Sequence, residues 1–145
     1  MGGKRILNIL FDRNLGMPPA QNVLVSTLFL TLRMGYKNIV ILGADHSWHE
    51  TLALDNANRV CLRDFHFYDK DVGMQPFTMD GSEEKIFTMD ALFYALGRMF
   101  EGYWKIAEYA DRQAAQIINA SSVTYIDAFK RRNFSDAIAM FSKSQ

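Results

Sequence analysis

The stretch from Asn22 to Gly43 constrains this chain more than any other. Val23 to Leu32 is apolar nearly all round, which suits a helix buried between layers. Asn22 stands where an N-cap would, its side-chain oxygen in reach of an orphan amide of the first turn. Arg33 falls at the negative end of the helix dipole, and Gly35 is the expected C′ residue. After the turn Gly35-Tyr36-Lys37 comes Asn38-Ile39-Val40-Ile41-Leu42-Gly43, a β-branched run that reads as a buried parallel strand. Helix, tight turn and buried strand in that order make half of a doubly wound α/β unit. The expected fold class is therefore α/β, a partial doubly wound sheet flanked by helices, in a single domain over residues 1–145.

The bulk properties agree with that reading. At 145 residues and 49% apolar, the chain can bury one core. Lys+Arg and Asp+Glu both number 16, so the basic excess of a nucleic-acid binder is missing, and no nucleic-acid partner is expected. The single cysteine, Cys61, sits between Val60 and Leu62 and reads as a small buried hydrophobe. The most hydrophobic run, Val23 to Leu32, is too short to span a bilayer, and nothing resembles a signal peptide. A cytoplasmic protein without a transmembrane segment is expected, with peripheral membrane contact left to the basic run Lys130-Arg131-Arg132.

Along the rest of the chain, Arg5 to Phe11 reads as a strand or as the end of a helix. Residues 12–19 form a Gly- and Pro-bearing loop. Arg59 to Arg63 would pair with Thr51 to Leu54 across a turn at Asp55–Asn58. Residues 64–85 read as a long irregular segment. A strong helix follows over 88–115, capped by Thr88. Gly97 and Gly102 inside it cost propensity, so close packing is expected at both. Gln116 to Asn119 reads as a strand and Ala120-Ser121-Ser122 as a polar turn. Tyr125 to Arg132 and Phe134 to Phe141 read as short helices, with a frayed tail beyond. Phe93, Tyr94, Phe100, Tyr103, Trp104 and Tyr109 point to a helix aromatic on more than one face, hence to core and a self-association surface.

Chemistry is expected where the first strand ends. Ligands of open α/β sheets sit beyond the carboxyl ends of the strands, and here Gly43-Ala44 is followed by Asp45, His46, Ser47, Trp48, His49 and Glu50. Asp45 would accept hydrogen bonds from hydroxyls or orient a catalytic group, or simply cap the next turn. His46 and His49 titrate near neutrality and would donate a proton or meet a phosphate. A zinc reading would use His46 and His49, with Asp45 and Glu50 beside them and His66 or a remote carboxylate as third ligand, but the HExxH order is missing. Asn22 opens a helix whose N-terminus is a natural phosphate seat.

Two motifs together carry a resemblance. They are Gln21-Asn22-Val23 running on to Gly35-Tyr36-Lys37-Asn38-Ile39-Val40-Ile41-Leu42-Gly43-Ala44-Asp45, and the long helix leading to Ile117-Ile118-Asn119-Ala120-Ser121-Ser122. The stretch from about Ala20 to Asn133 resembles the C-terminal half of bacterial sialyltransferase-like enzymes and of motility-accessory-factor domains. The resemblance implies a glycosyltransferase-like, Rossmann-like module for lipopolysaccharide, capsule or other surface-glycan synthesis. Its substrates would be a nucleotide-sugar donor, CMP-linked in the sialyltransferases, and a glycan acceptor, with no separate cofactor and no metal. It implies nucleotide binding by Asn22, Gly43, Asp45, His46, Asn119, Ser121 and Ser122, and catalysis by His66, His49 and Asp45. The family's glycine-rich first turn has no counterpart here, and His46, Ser47 and Trp48 stand where the sialyltransferases place tyrosines. The other readings are a non-catalytic oligomerising half-domain and a metal-dependent hydrolase.

Overall fold

A computed structural model describes residues 9–13, 15–63, 74–79 and 85–142. The chain forms two compact units: Met1–Asp45 with Gly97–Gln145, and His46–Leu96.

The first unit is α/β, built on a three-stranded parallel sheet. Besides a helical stretch at residues 9–12, its helices are α1 (Val23–Arg33), the larger part of α2 (Met89–Arg112) and α3 (Phe134–Ser142). Its strands are β1 (Asn38–Ile41), β5 (Gln116–Asn119) and β6 (Lys130–Arg131), in the spatial order β1-β5-β6. β1 and β5 run parallel with Ile39 opposite Ile117 and Ile41 opposite Asn119, and β5 pairs parallel with β6. Residues 9–12 are helical, so the described part of the first apolar stretch is the end of a helix and not a strand.

Both faces of the sheet are covered. Val40, Ile118 and Ala120 share a cluster with Ala137, Met140 and Phe141 of α3. Side chains alternate along a strand, so Ile39, Ile41 and Ile117 face the other way, and they too are buried. That side carries the buried stripes of α1 (Val25, Leu28, Phe29, Leu32) and of α2 (Tyr103, Ile106, Tyr109, Ala110). The two helices approach closely where α2 has no side chain: a Cβ on Gly102 would lie 3.4 Å from Val25 Cγ2. Close packing is thus met at Gly102. At Gly97 a Cβ would meet nothing within 4 Å, so that expectation fails. Further along the pair, Phe29 and Tyr109 rings stand 5.3 Å apart, and Arg33 donates to the Tyr109 hydroxyl at 3.2 Å.

The helix ends follow local chemistry. Asn22 caps α1, its Oδ1 accepting from Val25 N–H at 3.0 Å. Gly35 (φ +92°) closes α1 with the paired bonds of a Schellman motif: Tyr36 N–H to Thr31 C=O and Gly35 N–H to Leu32 C=O. The same pair closes α2, with Ala115 N–H to Ala110 C=O and Ala114 N–H to Asp111 C=O. Here the left-handed residue is Ala114, at φ +49°. Lys37 Nζ donates to Gln113 C=O and Gln116 N–H donates to Lys37 C=O, which ties the two turns together.

One expected helix is absent. Residues 125–132 form no helix; the chain bends at 128–129 and enters β6 at Lys130–Arg131. Tyr125 N–H is taken by Asp45 C=O and Ile126 N–H by the Thr124 hydroxyl, which ties the start of the segment to the β1 end and to the turn before it. Lys130 and Arg131 are therefore exposed edge-strand residues, and Asn133 caps α3 by accepting from Asp136 N–H.

The second unit is an antiparallel sheet of β2 (Leu52–Leu54), β3 (Val60–Arg63) and β4 (Met74–Pro76), preceded by a 3₁₀ turn, Trp48–Thr51. The expected hairpin forms, with Leu52 opposite Leu62 and Leu54 opposite Val60. Asp55 closes it, accepting from the amides of Ala57 and Arg59 and from Arg59 Nε. Those bonds, the Arg59 amide first, hold its carboxyl below the usual aspartate range. Cys61 is buried, as expected. β4 and a bridge between Thr78 and Ile86 correct the reading of residues 64–85 as irregular throughout. Among the described residues no helix is long and apolar enough to cross a membrane.

Candidate functional site

β1 and β5 end side by side, and the chain beyond each end is polar. After β1, Gly43 turns through the left-handed region at φ +68°, a conformation glycine adopts without a Cβ penalty. The turn presents the Ala44 peptide to the loop after β5. Ser121 Oγ accepts from Ala44 N–H at 3.0 Å, and the Thr124 hydroxyl donates to Ala44 C=O at 2.6 Å. Asn119 holds both partners: its Nδ2 donates to Thr124 Oγ1 at 3.0 Å, and its Oδ1 accepts from Ser121 N–H at 3.0 Å. Ala120 N–H to Ile41 C=O and Tyr125 N–H to Asp45 C=O, both at 2.8 Å, complete the seam.

This network is buried. Asn119 is fully enclosed, and Ser121 and Thr124 are 8% exposed. Among the described residues no buried side-chain polar atom lacks a hydrogen-bond partner. A buried network in which every member is satisfied rigidifies what it joins. Asn119 and Ser121 thus fix the two strand-end loops against each other, while Gly43, Asp45 and Ser122 beside them lie exposed.

Comparison with protein-family models, curated proteins and solved structures gives no match to this chain. The site is therefore argued from its own geometry.

Asn22 belongs to the same unit. Besides capping α1, its side chain meets the Tyr103 hydroxyl, with Nδ2 at 3.0 Å and Oδ1 at 3.2 Å. Burial pushes the Tyr103 phenol up to about 12, partly opposed by the Asn22 bond, so the hydroxyl stays protonated at any physiological pH. α1 turns back into β1 through a four-residue connection, so its N-terminus lies toward the end where β1 finishes.

The second unit begins with the rest of the expected cluster. His46 is 7% exposed and takes φ +59°, uncommon for a residue with a Cβ. Its ring lies 4.7 Å from that of Trp48, tilted by 48°. His49 and Glu50 sit in the 3₁₀ turn, which Ser47 opens without a side-chain cap bond. His66 lies outside the described residues. Among the described residues no three His, Cys, Asp or Glu side chains converge as a metal shell.

Sequence reasoning missed Thr124, the hub of the network, and Tyr103, the partner of Asn22. Thr124 carried one local signal: a Thr two residues before a buried Ile is placed for the hydroxyl-to-amide turn it makes with Ile126. A separate cleft of about 220 Å³ opens near the start of β5, lined by Ala107, Ala110, Asp111, Gln116, Ala128 and Lys130. None of the expected site residues lines it.

Proposed function

We propose that this chain is a glycosyltransferase-like module whose first unit is a Rossmann-like half-fold that binds a nucleotide sugar at the carboxyl ends of β1 and β5. The observation that carries the reading is the seam joining Ala44 to Asn119, Ser121 and Thr124. It joins two strand-end loops of a parallel sheet, and the region beyond such strand ends is where α/β sheets take ligands. Gly43, Asp45 and Ser122 are assigned to ligand contact. Asp45 accepts from ribose or sugar hydroxyls, and the exposed Gly43 and Ser122 line the approach. Asn119 and Ser121 act as positioning residues, and Asn22 sets the N-terminus of α1 as the seat for phosphate.

Transfer would be a direct displacement. The acceptor hydroxyl oxygen bonds to the anomeric carbon, the bond from that carbon to the phosphate oxygen breaks, and its electron pair leaves on the nucleotide. The hydroxyl proton passes to a general base, to be identified by lost turnover with retained binding in histidine-to-alanine variants. The test of the binding step is calorimetry with CMP, UDP, GDP and their sugars on the parent and on Asp45→Ala. Binding of one nucleotide class, lost in Asp45→Ala at unchanged melting temperature, supports the reading. Failure of every nucleotide to bind overturns it.

A second reading, a non-catalytic oligomerising module, is favoured by one observation: among the described residues no strand pairs with the second edge of β1.

A further inference from the structure

We propose that the open edge of β1, together with the outer stripe of α1, pairs with the same surface of a second copy of this chain. The two edges of the sheet differ in a way that a lone sheet does not require. β6 closes one edge with two residues, Lys130 and Arg131, followed by Arg132, all exposed. Short length and positive charge are the usual guards of a terminal strand. β1, at the other edge, reads Asn-Ile-Val-Ile, with no charge, no proline and no bulge.

The ladder shows which backbone groups are left over. Lys37 C=O accepts from Gln116 N–H, and Ile41 C=O accepts from Ala120 N–H. Residues 37, 39 and 41 therefore address β5, and the N–H and C=O groups of Asn38 and Val40 point to the opposite side. No described strand pairs with them. A β-branched strand with unpaired groups and no guard is a template for another strand.

α1 adds a second surface to the first. Its buried stripe meets α2 and the sheet. On the reverse lie Val23 (80% exposed), Thr27, Leu30 (57%) and Met34 (73%). Their spacing of four, three and four is that of a helix-pairing seam. The Thr27 hydroxyl turns back to donate to Val23 C=O, which leaves its methyl on the stripe. Arg33 is the one charged residue of α1 and lies off this line.

A second copy is the occupant that fits both surfaces at once. A two-fold axis beside β1 sets Asn38–Ile41 antiparallel to its own image and brings α1 against its image, an isologous contact. Neither surface carries charge to repel itself. Val23, Leu30, Met34 and Tyr36 expose on the order of 500 Å² of side chain, against about 800 Å² per partner in a standard interface. The backbone edge, Thr27 and Asn38 supply much of the difference.

The test is sedimentation of the full chain from low to high micromolar concentration, with hydrogen exchange at the Asn38 and Val40 amides. Two variants are compared: Leu30→Glu with Met34→Lys, which changes exposed residues only, and Asn38→Pro, which removes an outward N–H at the first strand residue, where proline is tolerated. The expected result is a dimer with slow exchange at Val40, and in both variants a folded monomer with that exchange accelerated at least tenfold. A parent monomeric at high concentration, or a dimer that survives both variants, overturns the proposal. So does a mixed complex in which another polypeptide protects Val40. Nucleotide binding retained by the monomeric variants separates this outcome from the fate of the glycosyltransferase reading, on which the pairing does not depend.

Discussion

The α1–β1 and α2–β5 segments are built on one plan and finished differently. Each is a helix closed by a Schellman turn that feeds a four-residue parallel strand and then a polar loop. At the helix end, the first uses Gly35 and the second Ala114 for the same left-handed turn. At the strand end, the first segment offers backbone, the Ala44 peptide, and the second offers side chains, Asn119, Ser121 and Thr124. Beside the strand, β5 is paired on both edges and, among the described residues, β1 on one. Architecture is thus repeated while chemistry is divided: the β5 side clamps, and the β1 side is clamped and presented.

The division predicts unequal consequences. The largest belongs to the clamp. Asn119→Ala removes the partner of both Ser121 N–H and Thr124 Oγ1 in a sealed environment, and should cost about 2–4 kcal/mol, since stranded buried groups lose about 1–3 kcal/mol each. In thermal unfolding that is a fall of roughly 6–15 °C, at a few degrees per kcal/mol for a chain of this size. Thr124→Val should follow at about 2–3 kcal/mol, with Thr124→Ser restoring most of it. Asp45→Ala, at an exposed position on the presented side, should lower the melting temperature by less than Asn119→Ala does, while abolishing ligand binding. Equal melting temperatures for Asn119→Ala and Asp45→Ala would break the distinction.

The helix ends sharpen the comparison with opposite signs. Gly35→Ala should destabilise by about 1–2 kcal/mol, because a Cβ is strained in the left-handed region; nothing crowds the site otherwise. Ala114→Gly should stabilise by up to about 1 kcal/mol, the relieved strain exceeding the added freedom of the unfolded chain. Denaturant melts of the two variants give the answer, and a destabilised Ala114→Gly would end the equivalence of the turns.

The smallest effect at working pH lies at the joint between the segments. The folded pKa of Tyr103 is raised from an ordinary value of 10 to about 12. The neutral phenol is the form the fold prefers, so its contribution is complete below pH 10 and is lost as pH rises from 10 toward 12. Alkaline melts of the parent should lose stability across that window, and Tyr103→Phe should flatten the loss.

What was legible in the sequence was local. Asn22 as cap, Gly35 as C′ residue, the β1 and β5 runs, the hairpin turn at Asp55 and burial of Cys61 each depend on residues within a few positions. Ala114 gave no sign of its left-handed turn because alanine is the best helix former. The segment 125–132 reads as helix by composition, yet Tyr125 gives its amide to Asp45, eighty residues earlier in the chain, a bond periodicity does not reveal. Placement of Asn119 at the end of a strand and of Ser121 just beyond it was readable. Their engagement with Ala44 was not, since that contact spans 77 positions. α1 reads as apolar all round; the structure shows that only one of its faces is covered by the described chain.

The most direct test of the central claim is to map backbone amide shifts in a nucleotide titration of the labelled protein, using CMP and UDP and their sugars. The account predicts that the perturbed amides concentrate at Gly43 to Asp45 and at Ser121 and Ser122, where the two strand ends are sewn together. Shifts confined to the cleft near Asp111, Gln116 and Lys130, or no shifts with any nucleotide, would contradict it.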